Sequence, residues 1–265
     1  MNLRNLMVMG AVILSGAFAR AEVKAETVEY KDGKTILEGF LAYDEAIKGP
    51  RPAVIIVHQW MGLTDHEKNS ARMLAEKGYV VLAADIYGKG KRPGNQTEAG
   101  KLAGEYKGNT KLFREREKAA FEFLKKNKNV DAKHIVIMGY CFGGTGALEA
   151  ARSGLPVVGA VSVHGGLASG KPEEAKNIKG KVLVLHGAID PYVPTTEVEG
   201  FMKEMNDAKV DYQFIAYSGA VHAFTQKEAG NDPSKGAAYN EAAARRSWQA
   251  LLTFLDEVAP VSVKK

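Results

Sequence analysis

Short runs of apolar, largely β-branched residues recur along the chain, with longer amphipathic stretches between them. The runs are Ala53–Val57, Val80–Ala84, Ile135–Met138, Val157–Val163, Val182–Leu185 and Tyr212–Tyr217. Most are apolar at successive rather than alternate positions, the pattern of strands covered on both faces. Thr27–Tyr30 and Thr35–Ala42 flank Asp32-Gly33 and predict a hairpin. Helices are predicted over Asp65–Lys77, closed by Gly78, and over Thr110–Lys126, with Leu112, Phe113, Ala120, Phe123 and Leu124 at roughly helical spacing. Three more are predicted: Phe142–Arg152, Thr195–Ala208 with Thr195 or Thr196 as N-cap, and Asn240–Val258. Strand–helix alternation of this kind predicts an α/β fold, a mostly parallel central sheet with helices on both faces. Lys89–Lys107 is polar and glycine-rich and reads as an insertion over the carboxyl edge of the sheet, where substrate contacts are often made.

The chain of 265 residues is long enough for one full core and short for two α/β domains. Its formal charge of +5 is spread out, with no basic run longer than a pair such as Lys264–Lys265, so nucleic acid is not an expected partner. The N-terminus changes the picture more. Arg4 precedes the apolar stretch Leu6–Phe18, and Ala19-Arg20-Ala21 offers a small-residue cleavage site before Glu22. Residues 1–21 therefore read as a secretory signal peptide, too short for a comfortable membrane span, and 22–265 as a single domain. The expected location is the periplasm or the medium outside the cell, with no stable membrane insertion after cleavage. A monomer or small homo-oligomer is expected.

An exported chain can use disulfides, yet Cys141 is the single cysteine. Its surroundings point to chemistry. In Gly139-Tyr140-Cys141-Phe142-Gly143-Gly144 a strand pattern ends and a small-residue helix begins. This is the G-x-S-x-G nucleophile elbow with cysteine in the serine position. A nucleophile at a helix N-terminus meets unpaired N–H groups and a dipole that favours thiolate, and the Phe142 N–H is placed to hold an oxyanion. Two further strand ends carry chemistry: Asp190, after Val182–Gly187, and His222, after Tyr212–Tyr217. Nucleophile, acid, histidine is the chain order of α/β-hydrolases. His58, His164 and His186 lie at or near strand ends and read as structural groups, whereas His66 and His134 read as exposed. No metal-ligand spacing and no flavin or nicotinamide signature is present, so no metal or cofactor is expected.

On Gly139–Gly144, Ala84-Asp85-Ile86-Tyr87, His186-Gly187 with Asp190 and Val193-Pro194, and Gly219–Phe224, the chain resembles the dienelactone hydrolase family over approximately Glu26 to Leu255. The resemblance implies the α/β-hydrolase fold and a Cys141–His222–Asp190 triad that hydrolyses small-molecule esters or lactones through an acyl-thioenzyme. It also implies a second oxyanion donor, the Trp60 N–H. Three positions depart from the family. Gln59 stands where the family enzyme has a glutamate that helps deprotonate the thiol, which leaves activation to His222, the helix dipole or His58. Lys89 and Gln226 match positions where arginines bind the substrate carboxylate. A lysine lacks the planar fork of arginine, and glutamine has no charge. The resemblance therefore implies an ester or lactone other than dienelactone. Two rival readings follow from Gln59 and the exposed thiol: a non-catalytic binding protein on the same scaffold, and a thiol redox protein.

Overall fold

A computed structural model describes residues 22–261. The signal-peptide reading of residues 1–21 falls outside them. Eight strands form one sheet in the order β1-β2-β4-β3-β5-β6-β7-β8. The hairpin is longer than expected: β1 (Val23–Asp32) and β2 (Thr35–Asp44) pair antiparallel along their whole length. β2 also runs antiparallel to β4 (Val80–Ala84). From β4 onward every pairing is parallel, through β3 (Arg51–Val57), β5 (Val130–Tyr140), β6 (Gly159–Val163), β7 (Lys181–Gly187) and β8 (Tyr212–Tyr217).

The doubly apolar strands sort their side chains between two cores. Ile55, Val57 and Ile137 join Phe113, Phe121 and Ala147 on one face. Val54, Ile56 and Val136 join Leu74, Leu251 and Phe254 on the other. The first face is covered by α3 (Thr110–Lys125) and α4 (Phe142–Arg152), the second by α1 (Asp65–Ala75) and α6 (Glu241–Val258). A third cluster packs Phe201 and Met205 of α5 (Thr195–Asp207) against Val182 and Val184. Leu, Ile and Phe side chains buried this way each contribute about 1.5–3 kcal/mol by removal from water.

Two expectations need correction. Pro194, not a threonine, is the N-cap of α5, and it makes no side-chain cap, so Thr195 begins the helix. The polar insertion is not loop throughout: Gln96–Gly108 is a helix, here α2. Its start is fixed by Asn95, whose Oδ1 accepts the Glu98 N–H at 3.0 Å while Glu98 Oε1 accepts from the Asn95 amide at 2.8 Å. Ala99, Ala103 and Tyr106 then bury one face. That spacing of four and three is helical, but the apolar residues are too small and too few to stand out against the surrounding lysines and glycines.

Candidate active site

The turn between β5 and α4 puts Cys141 at φ 55°, ψ −115°, a conformation L-residues rarely adopt. Two glycines make it possible. A Cβ on Gly139 would stand 2.1 Å from the Gly143 carbonyl oxygen, and one on Gly143 would stand 2.2 Å from the Val57 carbonyl oxygen. Strand β5 and helix α4 therefore touch backbone to backbone, and the Cys141 thiol is thrown up at the carboxyl edge of the sheet.

His222 and Asp190 meet it there. His222 Nε2 lies 3.0 Å from Cys141 Sγ, and His222 Nδ1 lies 2.8 Å from Asp190 Oδ2. The Asp190 carboxylate is fully buried, and its other oxygen accepts the Tyr192 N–H at 2.9 Å. The His222 backbone is clamped by the segment after β8: its N–H donates to Gly236 O, and its carbonyl accepts from the Ala238 N–H. Burial pushes the Cys141 thiol up, but the His222 hydrogen bond and charge, the charge of Lys107 and the Phe142 N–H outweigh it, and the pKa falls below the ordinary thiol value. Burial likewise opposes charge on His222, yet the bonds to Asp190 and Cys141 raise its pKa to about 9. Both shifts favour the same state, a thiolate beside an imidazolium.

Phe142 is the first residue of α4, and neither its N–H nor that of Trp60 finds a backbone carbonyl among the described residues. Trp60 is held from behind. Its carbonyl accepts the Tyr87 hydroxyl at 2.9 Å, and α2 passes at Gly100, where a Cβ would lie 3.9 Å from the indole. Tyr87 in turn is fixed by Asp85, whose Oδ1 accepts the Tyr87 and Gly88 N–H groups, both at 3.1 Å. Asp85 and Tyr87 thus have a positioning role that their sequence context marked only as a motif. Lys107, at the end of α2, had no signal of its own beyond lying in the polar insertion.

Among the described residues, none of the remaining candidates makes a side-chain hydrogen bond to the thiol. Gln59 is buried, and its Oε1 accepts the Met61 N–H at 3.1 Å. A carboxylate does stand beside it, but Glu67 is occupied by the Gln59 N–H, the Thr64 N–H and the Thr64 hydroxyl. The reading of His58 as a possible base is corrected. Its Nδ1 meets the Gln59 carbonyl at 2.7 Å, its Nε2 accepts the Ile86 N–H at 3.2 Å, and burial lowers its pKa, so both nitrogens serve the fold. Lys89 is corrected too: it is ion-paired with Glu29 and lies 4.0 Å from Glu38, on the hairpin. Gln226 is half-buried, with an amide nitrogen that has no partner. His66 and His134 are half-buried rather than exposed; His66 packs edge-on against Tyr140 at 4.4 Å, and His134 bonds Asp131 at 2.7 Å. No group of metal-binding side chains occurs among the described residues.

The sheet, the strained elbow and the convergence of Cys141, His222 and Asp190 at its carboxyl edge define an α/β-hydrolase. The dienelactone hydrolase family model matches residues 37–259, and the chain belongs to that family. It is 30% identical over 86% of its length to a Bradyrhizobium protein provisionally named a 2-oxo-3-(5-oxofuran-2-ylidene)propanoate lactonase, covering 93% of that protein. It is 28% identical over 86% of its length to an Aquifex aeolicus protein provisionally named a carboxymethylenebutenolidase, covering 96% of it. Among solved structures it resembles a dienelactone hydrolase-like promiscuous phosphotriesterase from metagenomic libraries. That match has TM-score 0.85 and 37% identity, covering 89% of this chain and 99% of the other. Family and relatives make this chain a lactone or ester hydrolase.

Proposed function

We propose that the protein hydrolyses an ester or lactone through an acyl-thioenzyme on Cys141. The observation that carries this reading is the unbroken chain from Sγ through the imidazole to the buried carboxylate, at 3.0 and 2.8 Å. The thiolate attacks the carbonyl carbon, and the Phe142 and Trp60 N–H groups hold the oxyanion. The intermediate expels the alkoxide, which takes the proton from His222. Neutral His222 then removes a proton from water, hydroxide attacks the thioester, and the thiolate departs. Asp190 fixes the tautomer that points Nε2 at sulfur. Mass spectrometry of protein quenched during turnover of p-nitrophenyl acetate tests the scheme: an acetyl group on Cys141 is expected, and an adduct on another residue overturns it.

Activation of the thiol is assigned to His222, without position 59. Gln59→Ala is therefore expected to change kcat/KM by less than about tenfold, because general-base contributions of about 10²–10⁴ come from elsewhere. A loss of the full amount would return position 59 to the mechanism. Because Lys89 is neutralised on the hairpin and Gln226 carries no charge, the natural substrate is proposed to be an ester or lactone with no requirement for paired arginines. Lys107 is the cation whose charge reaches the thiol.

The pH profile follows from the ion pair. The reactive state requires thiolate and imidazolium together. Activity is expected to rise through the lowered thiol pKa, hold a plateau, and fall as His222 loses its proton near its pKa of about 9. Stopped-flow acylation rates between pH 5 and pH 10, taken as roughly the accessible window for these groups, check it. A rate still climbing with the slope of a free thiol through the alkaline end would mean that no ion pair forms. Export with cleavage before Glu22 is proposed from the sequence alone.

A further inference from the structure

Exposed apolar side chains flank the acid of the triad. Among the described residues the large apolar side chains most open to solvent are Tyr192 and Ile189, 61% and 58% exposed, and they stand just after and just before the Asp190 turn. A single exposed apolar residue on a surface needs no explanation, but an aromatic ring fixed beside reacting atoms does.

The Tyr192 ring is held in place. Its N–H donates to Asp190 Oδ1 at 2.9 Å, the turn is closed by the Val193 N–H on the Asp190 carbonyl at 3.4 Å, and Val193 is buried just before Pro194. Its hydroxyl end lies along Gly236, where a Cβ would stand 3.2 Å from the phenolic oxygen. Gly236 is also the residue whose carbonyl accepts the His222 N–H. The ring centre is 5.3 Å from that of His222, with the two planes at 86°.

The other neighbours of the imidazole limit what can approach it. Nδ1 is taken by Asp190, whose carboxylate is fully buried, and Nε2 faces Cys141 Sγ. A second ring, His164, also lies 5.3 Å away, but it is fully buried. Of these two aromatic neighbours, Tyr192 alone is open to substrate. In the acyl transfer to Cys141 the C–S bond forms, the ester C–O bond breaks, and the Nε2 proton passes to the departing alkoxide oxygen. That oxygen must come within about 3 Å of Nε2. The carbon skeleton attached to it cannot extend into Asp190 or His164, so it extends along the exposed side, against Tyr192. A ring already fixed in position favours a flat, apolar partner and loses little freedom on meeting it.

We propose, on the basis of that acyl-transfer step, that Tyr192 is the specificity-determining wall of the leaving-group subsite and directs the enzyme toward esters of aromatic alcohols. The test compares kcat/KM for 2-naphthyl acetate and trifluoroethyl acetate in the parent, Tyr192→Ala and Tyr192→Phe. Both esters carry the same acyl group, and their difference in intrinsic reactivity cancels when each variant is referred to the parent. Tyr192→Ala should lose about 5–20-fold more on the naphthyl ester than on the trifluoroethyl ester, the scale of one aromatic contact together with the apolar area it covers. Tyr192→Phe keeps the ring and should hold the parent's preference to within about twofold. Burst kinetics separate this role from mere support of His222. The acetyl-enzyme is the same species whichever alcohol has left, so in Tyr192→Ala its hydrolysis should fall at least about fivefold less than its formation from 2-naphthyl acetate. Equal losses on the two esters, equal losses in formation and hydrolysis, or a Tyr192→Phe variant as impaired as Tyr192→Ala would each overturn the proposal. Failure of the acyl-thioenzyme reading shows separately, as a mass spectrum without acetyl on Cys141. Because kcat/KM spans every step through departure of the alcohol, the two-ester comparison decides the role of Tyr192 in that case as well.

Discussion

Cys141→Ala is expected to remove the acyl adduct and to lower kcat/KM for p-nitrophenyl acetate by about 10⁴-fold or more, the scale seen when a nucleophile is removed from a triad that acts as a unit. The residual rate should not reach zero. The Phe142 and Trp60 N–H groups stay in place, and such donors with substrate binding sustain about 10³–10⁴-fold over water in comparable sites. His222→Ala should cost a similar amount, and the double variant little more than either alone, because thiolate and imidazolium form one state. Steady-state kinetics of the two single variants and the double variant check this. Additive losses in the double variant would show two independent contributions. A Cys141→Ala variant with wild-type turnover would remove the nucleophile assignment outright.

The same residues show what the sequence makes readable. Cys141, Asp190 and His222 are each ambiguous alone, but each follows a strand, and parallel strands all end at one edge. The alternation that predicts the sheet therefore also predicts that the three converge. Backbone-level detail is readable where steric demand is absolute, as at Gly139 and Gly143, where an added Cβ would stand 2.1 and 2.2 Å from backbone oxygens. Side-chain partnerships between distant elements are not readable in that way. Lys89 looks like a free cation near the site until β1 folds back and brings Glu29 to it. His58 looks like a base until β4 delivers the Ile86 N–H to its second nitrogen. Helix α2 escapes because its buried face is two alanines and a tyrosine, a weak signal beside its polar majority.

Arg152→Ala is expected to destabilise the protein by about 3–5 kcal/mol, the cost of stripping one partner from a buried ion pair. Arg152 is fully buried at the end of α4, the helix that starts beside Cys141. Its guanidinium donates to Glu204 at 2.8 and 2.7 Å, to Glu149 at 3.0 Å and to the Leu167 carbonyl at 2.9 Å. Glu149 would keep Arg114, 2.7 Å away, but Glu204 has no second cation among the described salt bridges and would be left charged and buried. For a chain of this size the loss corresponds to a fall in Tm of about 6–20 °C, read by thermal or urea unfolding. Glu117 provides the contrast. It is fully buried against Gly146 of the same helix, neither carboxyl oxygen has a partner, and burial, then the Glu149 charge, raises its pKa well above the ordinary value. A carboxyl with a raised folded pKa binds more protons folded than unfolded, so stability falls as pH climbs above the unfolded value, near 4.3 to a rough approximation. Glu117→Gln removes that dependence. Its stability relative to the parent should rise between acid and neutral pH, while Arg152→Ala should stay less stable than the parent across the same window. Parallel unfolding curves for Glu117→Gln and the parent at all pH values would show that Glu117 is already ionised in the fold.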